Sequence, residues 1–380
     1  MSLIVILFFI IIFILLLNYI IDLFFYIKNR LCRFHIGRWT KKEWELAVQN
    51  IAEKWVRNPP TVKITDNSRY MLLDFLEGKY RSNTIQSWQK AALILGLLEC
   101  KSEDAIRQAR SAAEMLLDST GNWKIKPVAV DCGMLSFAVL KAIDNPDKIK
   151  PAMDYSIKII KNNINSFGMI SYTGGKSNPE MYVDTIGLVC PFLALYSEVY
   201  ENIEVGNIAF YQIKMFHKYG LYENTTLPNH AFDIYTKLPL GVYGWGRGTA
   251  WYIIGLMDTY NNLNNKEYVG KLKEWIFEAA EQYINYQHPD GGFGSIIQRT
   301  SSYDSSVTAT MAWFYKCCNE IFFDSRYEQA RKACLNKLLS CTRINGVIDW
   351  CQGDTKDIGV FAQTYDLMPF AQGMALRAMK

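Results

Sequence analysis

Two kinds of helical segment alternate along the chain from about residue 40 onwards. In the first kind, apolar residues recur at i, i+3, i+4 and i+7, as at Ala109, Ala112, Ala113 and Leu116, and charged residues fill the opposite face. This spacing is typical of an amphipathic α-helix that is exposed on one side. Such helices are predicted at about 40–57, 103–118, 148–165, 205–218, 267–287 and 325–341.

The second kind of segment is apolar on nearly all sides and rich in small residues, which is typical of a buried helix. These segments begin near Thr84, Asp131, Asp184, Arg247, Asp304 and Tyr365. Six buried helices that alternate with six half-exposed helices predict an all-α fold, an (α/α)6 toroid whose buried helices form the inner ring.

Tight turns precede the buried helices and indicate short hairpins. The turn signals are Gly121-Asn122, Phe167-Gly168, Asp290-Gly291-Gly292 and Asn345-Gly346. Because each turn comes before an inner helix, the turns should gather at one end of the ring. The N-termini of the inner helices would line the resulting bowl, and we expect the function there.

The N-terminus carries a separate signal. The stretch from Leu3 to Ile21 has only Asn18 and Tyr19 as polar side chains, and its apolar character continues to Ile27. About 20 apolar residues suffice to cross a bilayer as a helix. A cleaved signal peptide is the alternative, but it would have a basic start, a shorter apolar run and an A-x-A-like cleavage site. We therefore predict a transmembrane anchor over 1–27, a basic juxtamembrane segment over 28–42 and the toroid over 43–380.

Charge is distributed unevenly between these parts. Residues 1–42 hold six basic side chains and one acid, Asp22, whereas the rest holds 35 basic and 36 acidic residues. A nearly neutral folded part argues against nucleic acid as a partner. The basic side chains all follow the apolar stretch, so the positive-inside rule predicts a single-pass protein with its toroid on the cytoplasmic face. Nine cysteines without a paired framework agree with a reducing compartment. A domain on the outer face stays the alternative.

Two buried helices begin with an acid in an apolar setting, at Asp131 and Asp184. An aspartate at such a place is often a helix cap. Two of them facing one bowl also fit a pair of carboxyl groups for general acid and base catalysis, because apolar surroundings raise a carboxyl pKa. Asp304, at the start of the fifth buried helix, would be a third carboxylate on the same rim.

The residues from His230 to Trp251 form the densest group of candidate binding side chains. Trp245 and Arg247 stand among glycines at the start of a buried helix. Arg247 could hold a carboxylate with its planar fork, and Trp245 could stack on a sugar ring. The alternative is a structural turn, in which Arg247 pairs with an acid of the inner ring and Trp245 lies in the core.

No cofactor or metal is expected from the sequence. The four histidines are not paired at ligand spacing, and no C-x-x-C, phosphate loop or nucleophile elbow is present. The expected partners are an oligosaccharide or polysaccharide substrate and, through residues 1–27, a lipid bilayer.

Four blocks of sequence resemble a known family. They are VDTIGLVCPFLALY (183–196), GWGRGTAWYIIGL (244–256), PDGGFGSI (289–296) with SSYDSSVTATMAWFY (301–315), and MPFAQGMALRAM (368–379). In this order and spacing they resemble the unsaturated glucuronyl and rhamnogalacturonyl hydrolases of the six-hairpin glycosidase superfamily. The resemblance covers about residues 85–380.

This resemblance implies hydrolysis of 4,5-unsaturated uronic acids. In that reaction a carboxylic acid protonates the C4=C5 bond, water adds at C5, and the hemiketal collapses to release the aglycone. By the resemblance Asp184 would be the catalytic acid/base and Asp131 the assisting aspartate, while His230, Trp245 and Arg247 would hold the acidic sugar. Around Asp304 the sequence reads DSSVTA, where the family pattern is closer to E-T-S-x-S-A.

Two other functions stay open at this point. A membrane-anchored toroid could be a non-hydrolytic, glycan-binding component of capsule, exopolysaccharide or O-antigen biosynthesis. More remotely, PDGGFGSI alone also resembles repeats of terpenoid cyclases and protein prenyltransferases, whose Asp-rich or zinc-ligand motifs this chain lacks.

Overall fold

A computed structural model describes residues 3–62, 72–77, 85–300 and 302–379 of the chain. The α-helices are α1 (Leu3–Arg33), α2 (Lys41–Arg57), α3 (Leu72–Leu76), α4 (Ser87–Leu98), α5 (Glu103–Glu114), α6 (Cys132–Ala142), α7 (Pro146–Asn162), α8 (Val183–Val199), α9 (Ile203–Tyr219), α10 (Gly246–Tyr260), α11 (Lys266–Tyr283), α12 (Ser305–Phe322), α13 (Ser325–Ser340) and α14 (Pro369–Met379). The strands are β1 (Glu180–Tyr182), β2 (Ala231–Asp233), β3 (Pro239–Leu240), β4 (Cys351–Gln352) and β5 (Tyr365–Asp366).

The even-numbered helices from α4 to α14 form a closed inner ring. Each packs on the next, and α14 packs back on α4. Helices α2, α5, α7, α9, α11 and α13 lie outside this ring and contact it on one face. The predicted (α/α)6 toroid is therefore confirmed. The predicted start of the first inner helix, Thr84, lies outside the described residues, and the described part of that helix begins at Ser87.

Glycines let neighbouring inner helices approach backbone to backbone. A Cβ on Gly187 of α8 would lie 2.5 Å from the carbonyl oxygen of Trp251 in α10, and a Cβ on Gly255 would lie 2.6 Å from that of Ile186. Gly96 and Gly373 face each other in the same way across α4 and α14. A real Cβ cannot occupy these positions without displacing a helix, so the small residues set the diameter of the ring.

Short hairpins before the inner helices gather at one end of the ring, as predicted. Gly121, Gly168 and Gly346 adopt positive φ angles of 79°, 75° and 84° at the hairpin turns, where glycine is favoured because it has no Cβ. Single bridges join the two arms of these hairpins at Leu117↔Trp123, Ile164↔Ile170 and Thr342↔Ile348.

A small antiparallel sheet, which the sequence patterns did not predict, lies at the same end. Its order is β1-β2-β3, and its register pairs Tyr182 with Ala231. The amide of Val183, the first residue of α8, donates to the carbonyl oxygen of His230 at 3.0 Å. The sheet thus holds His230 beside the N-terminus of α8.

A buried ion cluster closes the opposite end of the ring. Arg377 in the last turn of α14 donates two hydrogen bonds to Asp258 of α10, at 2.9 and 2.7 Å, and one to Glu99 after α4, at 2.9 Å. Its guanidinium also lies 4.0 Å from the ring centroid of Trp313 in α12. Removing one partner of such a cluster would leave an uncompensated buried charge, which is strongly destabilising.

Helix α1 differs from the other described helices in length and exposure. It has 31 residues, its most apolar window has a mean hydropathy of 3.3, and no residue of that window is buried. At 1.5 Å per residue a helix of this length extends about 46 Å, which exceeds the hydrocarbon core of a bilayer. Of the described helices, α1 is the one long and apolar enough to cross a membrane, and it continues past the predicted boundary at residue 27.

The glycine contacts generate a stability prediction. Gly373→Ala should lower the free energy of unfolding by about 1–3 kcal/mol, because its Cβ would meet the carbonyl oxygen of Ala92. Gly270→Ala is the matched control: no atom lies within 4 Å of its Cβ in the outer helix α11, so alanine should stabilise by up to about 1 kcal/mol. Denaturant unfolding of both variants checks this, and equal effects would contradict it.

Candidate active site

A cavity of about 370 Å³ opens at the bowl end of the ring. Its volume is in the range of small-ligand sites. The side chains that line it are Gln86, Trp88, Tyr172, Thr173, Tyr182, Asp184, Leu188, His230, Arg247, Trp251, Asp354, Thr355, Lys356 and Asp357.

The inner helices contribute to this cavity from matching positions. Trp88, Asp184 and Arg247 are each the second residue of their helix, in α4, α8 and α10. Leu188 and Trp251 lie four residues further along, and residues four apart share a helix face. The cavity is therefore lined by the start of α4 and by the first two turns of α8 and α10.

Asp184 is buried in the wall of the cavity. Its Oδ2 atom has no hydrogen-bond partner among the described residues. Burial raises the pKa of Asp184 to about 7, although the positive charge of Arg247 and nearby backbone groups act in the opposite direction. The carboxyl does not cap its helix, because Tyr182 occupies the N-cap position. Asp184 can therefore hold a proton near neutral pH and present it to the cavity.

His230 lies against Asp184 in the neutral form. Burial, assisted by the charge of Arg247, lowers the pKa of His230 to about 4. Its Nδ1 accepts a hydrogen bond from the amide of Gly359 at 3.2 Å. A neutral imidazole that accepts at Nδ1 carries its proton on Nε2, and this atom lies 3.6 Å from Oδ2 of Asp184.

Arg247 reaches the cavity, but its guanidinium donates hydrogen bonds to the backbone. Its Nη1 donates to the carbonyl oxygen of Gln352 at 2.6 Å, and its Nη2 donates to that of Gly353 at 2.5 Å. The guanidinium is buried, so its charge acts on Asp184 and His230 without pairing with either. Arg247 holds the segment that crosses the cavity and supplies positive potential beneath it.

Asp131 lies beside this cavity and is not among the residues that line it. It occupies the N-cap position of α6 without a side-chain capping bond, and its Oδ2 accepts from Ser87 Oγ at 3.2 Å. Burial raises its pKa. Tyr172 lies within electrostatic reach of both carboxyls: after burial, the charges of Asp184 and Asp131 raise the pKa of Tyr172 most.

Asp304 lies behind the cavity wall and caps a helix. It is fully buried, and its Oδ1 accepts from the amides of Ser306 at 2.9 Å and Gln352 at 3.2 Å. The carboxylate therefore fixes the start of α12 and the strand β4. Asp304 was predicted to contact the substrate, but it does not line the cavity.

Trp245 also lies behind the cavity wall. It is 1% exposed, its Nε1 donates to Gln352 Oε1 at 3.2 Å, and its ring packs on His230 with centroids 4.6 Å apart. Trp245 therefore lies in the core, which was the alternative to a role in stacking on a sugar ring. It supports His230 from behind, and Trp88 and Trp251 present aromatic surface to the cavity in its place.

Several cavity residues escaped sequence reasoning. The segment 353–364, which we call the strap, joins β4 to β5 and brings Asp354, Thr355, Lys356 and Asp357 over the cavity. It has no periodic pattern, and its anchoring bonds come from residues far away in sequence. Trp88 was missed because its helix was predicted to begin near Thr84, whereas the described helix begins at Ser87 and places Trp88 at the same second position as Asp184. Among the described residues no cluster of three His, Cys, Asp or Glu side chains is placed to hold a metal ion.

Comparisons with known proteins agree with this architecture. The sequence profile of a family described as Glycosyl Hydrolase Family 88 matches residues 63–379. No curated protein matches the chain by sequence.

Solved structures resemble the fold at low sequence identity. A possible GH105 family member from Salmonella enterica serovar Paratyphi A has a TM-score of 0.72 at 14% identity, covering 90% of this chain and 93% of that chain. An unsaturated glucuronyl hydrolase specific for heparin has a TM-score of 0.65 at 14% identity, covering 88% and 95%. The unsaturated glucuronyl hydrolase of Bacillus sp. GL1, described as responsible for glycosaminoglycan degradation, has a TM-score of 0.63 at 16% identity, covering 88% and 93%.

The raised pKa of Asp184 makes stability depend on pH. The folded protein holds this proton more tightly than the unfolded chain, so Asp184 costs stability increasingly as pH rises from about 4 to about 7. Asp184→Asn should therefore gain roughly 2–3 kcal/mol relative to wild type between pH 5 and pH 8. The half-buried control Asp233→Asn should show no such change, because hydrogen bonds lower the pKa of Asp233 and its carboxyl is ionised in both states above pH 5. Unfolding measured at both pH values tests this, and a constant difference for Asp184→Asn would contradict it.

Proposed function

Because the chain belongs to glycosyl hydrolase family 88, we propose that this glycoside hydrolase cleaves oligosaccharides ending in an unsaturated uronic acid, with Asp184 as its proton donor. The observation that carries the proposal is a buried carboxyl with a pKa of about 7, aimed into a cavity beside a neutral histidine. A general acid works best when its pKa lies near the working pH.

The proposed reaction begins with transfer of the Asp184 proton to C4 of the unsaturated sugar. Water then adds at C5, and the Asp184 carboxylate takes up a proton from that water. The resulting hemiketal opens and releases the aglycone as an alcohol, so atoms and charge balance without a cofactor. Asp131 would assist by its negative potential, which acts on Tyr172 together with that of Asp184.

Recognition of the acidic sugar follows from the charges and rings of the cavity. Arg247 supplies a buried positive charge, and a guanidinium has five N–H donors, of which the carbonyl oxygens of Gln352 and Gly353 use two. The Nε2–H of His230 is a further donor. Trp88 and Trp251 offer flat apolar surface for the sugar ring. Trp245 and Asp304 would act indirectly, through His230 and through the start of α12.

We further propose that α1 is a single-pass membrane anchor with the toroid on the cytoplasmic face. The support is its apolar length and the basic side chains that follow, including Arg30 and Arg33 in its last turn. An anchor also favours a second candidate, a toroid that binds a glycan during surface-polysaccharide assembly without cleaving it. Turnover of an unsaturated uronyl disaccharide separates the two functions.

Replacement of Asp184 tests the chemistry. Asp184→Asn should lower kcat on an unsaturated uronyl disaccharide by about 100-fold to 10,000-fold, because amide nitrogen cannot donate the proton as a carboxylic acid does. Loss of ultraviolet absorbance by the C4=C5 bond measures turnover. Asp144→Asn, an exposed acid paired with Arg110 far from the cavity, should retain wild-type activity. An Asp184→Asn protein as active as wild type would remove the mechanism, and a wild-type protein that binds without turnover would favour the assembly function.

The pH profile provides an independent test of the same proton. Since Asp184 must be protonated, kcat/KM should fall about tenfold for each pH unit above about 7. Titration of His230 lies lower, near pH 4, and leaves this limb unaffected. Initial rates between pH 5 and pH 9 check the profile, and a flat limb from pH 6 to pH 9 would contradict it.

A further inference from the structure

The C-terminal end of α1 is built into the fold of the toroid. Arg33, its last residue, donates from Nε to Asp349 Oδ2 at 2.6 Å and from Nη2 to Oδ1 at 3.0 Å. Asp349 is completely buried. The guanidinium of Arg33 also lies 5.0 Å from the ring centroid of Trp350. A cleaved leader would leave no such contact, so this docking favours a helix that is retained.

Asp349 is part of a larger ion cluster. Arg343 donates to the same carboxylate at 2.7 and 2.9 Å and reaches Asp366 of β5 at 2.5 Å. Burial alone would raise the pKa of Asp349, but the hydrogen bonds from Arg33 and Arg343 outweigh it and hold the pKa below its usual range. Arg343 therefore keeps Asp349 paired when Arg33 is replaced. Substitution of Arg33 should free the end of α1 without leaving an unpaired buried charge.

The connection from α1 to α2 is also held down. The amide of Gly37 donates to the carbonyl oxygen of Thr342 at 2.9 Å, and Trp39 Nε1 donates to that of Arg343 at 3.2 Å. Trp44 Nε1 donates to Thr342 Oγ1 at 2.7 Å. The segment between α1 and α2 is thus held against the last hairpin by hydrogen bonds, and it is not a free linker.

This attachment lies at the bowl end of the ring. The carbonyl oxygen of Trp350 accepts from the amide of Ser305, the first residue of α12. The next residues along the chain, Gln352 and Gly353, provide the carbonyl oxygens that hold Arg247 in the cavity wall. Asp349 and Gly353 are four positions apart in the sequence and therefore lie at most roughly 14 Å from each other. One short segment, 349–353, thus contacts both the end of α1 and the cavity wall.

We propose that α1 holds the toroid with its bowl end towards the bilayer, so that the cavity takes the end of an acidic glycan attached to that same membrane. From Ile27 to Arg33 the helix rises only about 9 Å, which keeps the rim close to the lipid surface. Lys28 and Arg30 would lie among anionic headgroups. The inference rests on the proposed hydrolysis for its substrate, but its geometry can be tested separately.

Orientation is tested with the full chain in liposomes of phosphatidylcholine and phosphatidylglycerol. Cys32 and Cys100, the two half-buried cysteines, are replaced by serine. A fluorescent label is then placed on Val360→Cys in the strap, where the side chain is 50% exposed, or on the control Lys101→Cys after α4 at the opposite end of the ring. Nitroxide-headgroup lipids should quench the Val360 label more than the Lys101 label. Equal quenching, or stronger quenching at Lys101, would overturn the proposal.

The role of Arg33 is tested with a lipid-linked substrate. The probe is an unsaturated uronyl disaccharide coupled to phosphatidylethanolamine in the same liposomes, compared with the free disaccharide. Arg33→Ala should reduce turnover of the lipid-linked probe by about tenfold. The substitution frees the end of α1 from Asp349, so that the toroid can turn and the effective concentration of the membrane-attached substrate at the cavity falls. Turnover of the free disaccharide should stay unchanged.

The outcomes separate this inference from the proposed hydrolysis. Equal turnover of the lipid-linked probe by wild type and Arg33→Ala would overturn the orientation. Absence of turnover on both substrates would overturn the hydrolysis, while the quenching result would still decide the orientation. Arg33→Lys, which keeps the charge but loses the fork, should fall between Arg33→Ala and wild type.

Discussion

The close approach of the inner helices is the constraint on which the rest of the structure depends. Gly187 and Gly255 bring α8 and α10 into backbone contact, and Gly96 and Gly373 do the same for α4 and α14. Larger residues would widen the ring and separate the helix starts. Because the ring is narrow, side chains at the second position of three inner helices share one small cavity.

The narrow ring also explains the chemistry of the site. The N-terminal end of α8 should favour a charged carboxylate at Asp184, but burial outweighs this effect and raises its pKa to about 7. His230 is kept neutral by the same burial and oriented by the amide of Gly359 in the strap. Arg247 holds the start of that strap through the carbonyl oxygens of Gln352, in β4, and Gly353. Acid, histidine and strap therefore form one arrangement, in which each part is positioned by the others.

Much of the fold could be predicted from the sequence, because the alternation of buried and half-exposed helices is a local property of the chain. The predicted starts of the buried helices identified Asp184 and Arg247, and the dense group of candidate binding side chains identified His230. All three line the cavity. The sequence could not distinguish these three residues from Asp304 and Trp245. An acid or an aromatic residue at a helix start can point into the bowl, or it can stabilise the helix from behind the cavity wall. The strap and the contact between Arg33 and Asp349 join residues far apart in sequence, and no local pattern indicates such pairings. Membership of glycosyl hydrolase family 88 agrees with the predicted fold and reaction class.

In the proposed reaction Asp184 protonates C4 of an unsaturated uronic acid, and release of the aglycone follows hydration. Proton nuclear magnetic resonance of the reaction at pH 6 tests this most directly, by following the vinyl proton at C4 and the released aglycone in one sample. We expect the vinyl signal to disappear at the rate at which the aglycone appears. Release of aglycone while the vinyl signal persists in the freed sugar would show direct cleavage of the glycosidic bond and rule out cleavage through hydration.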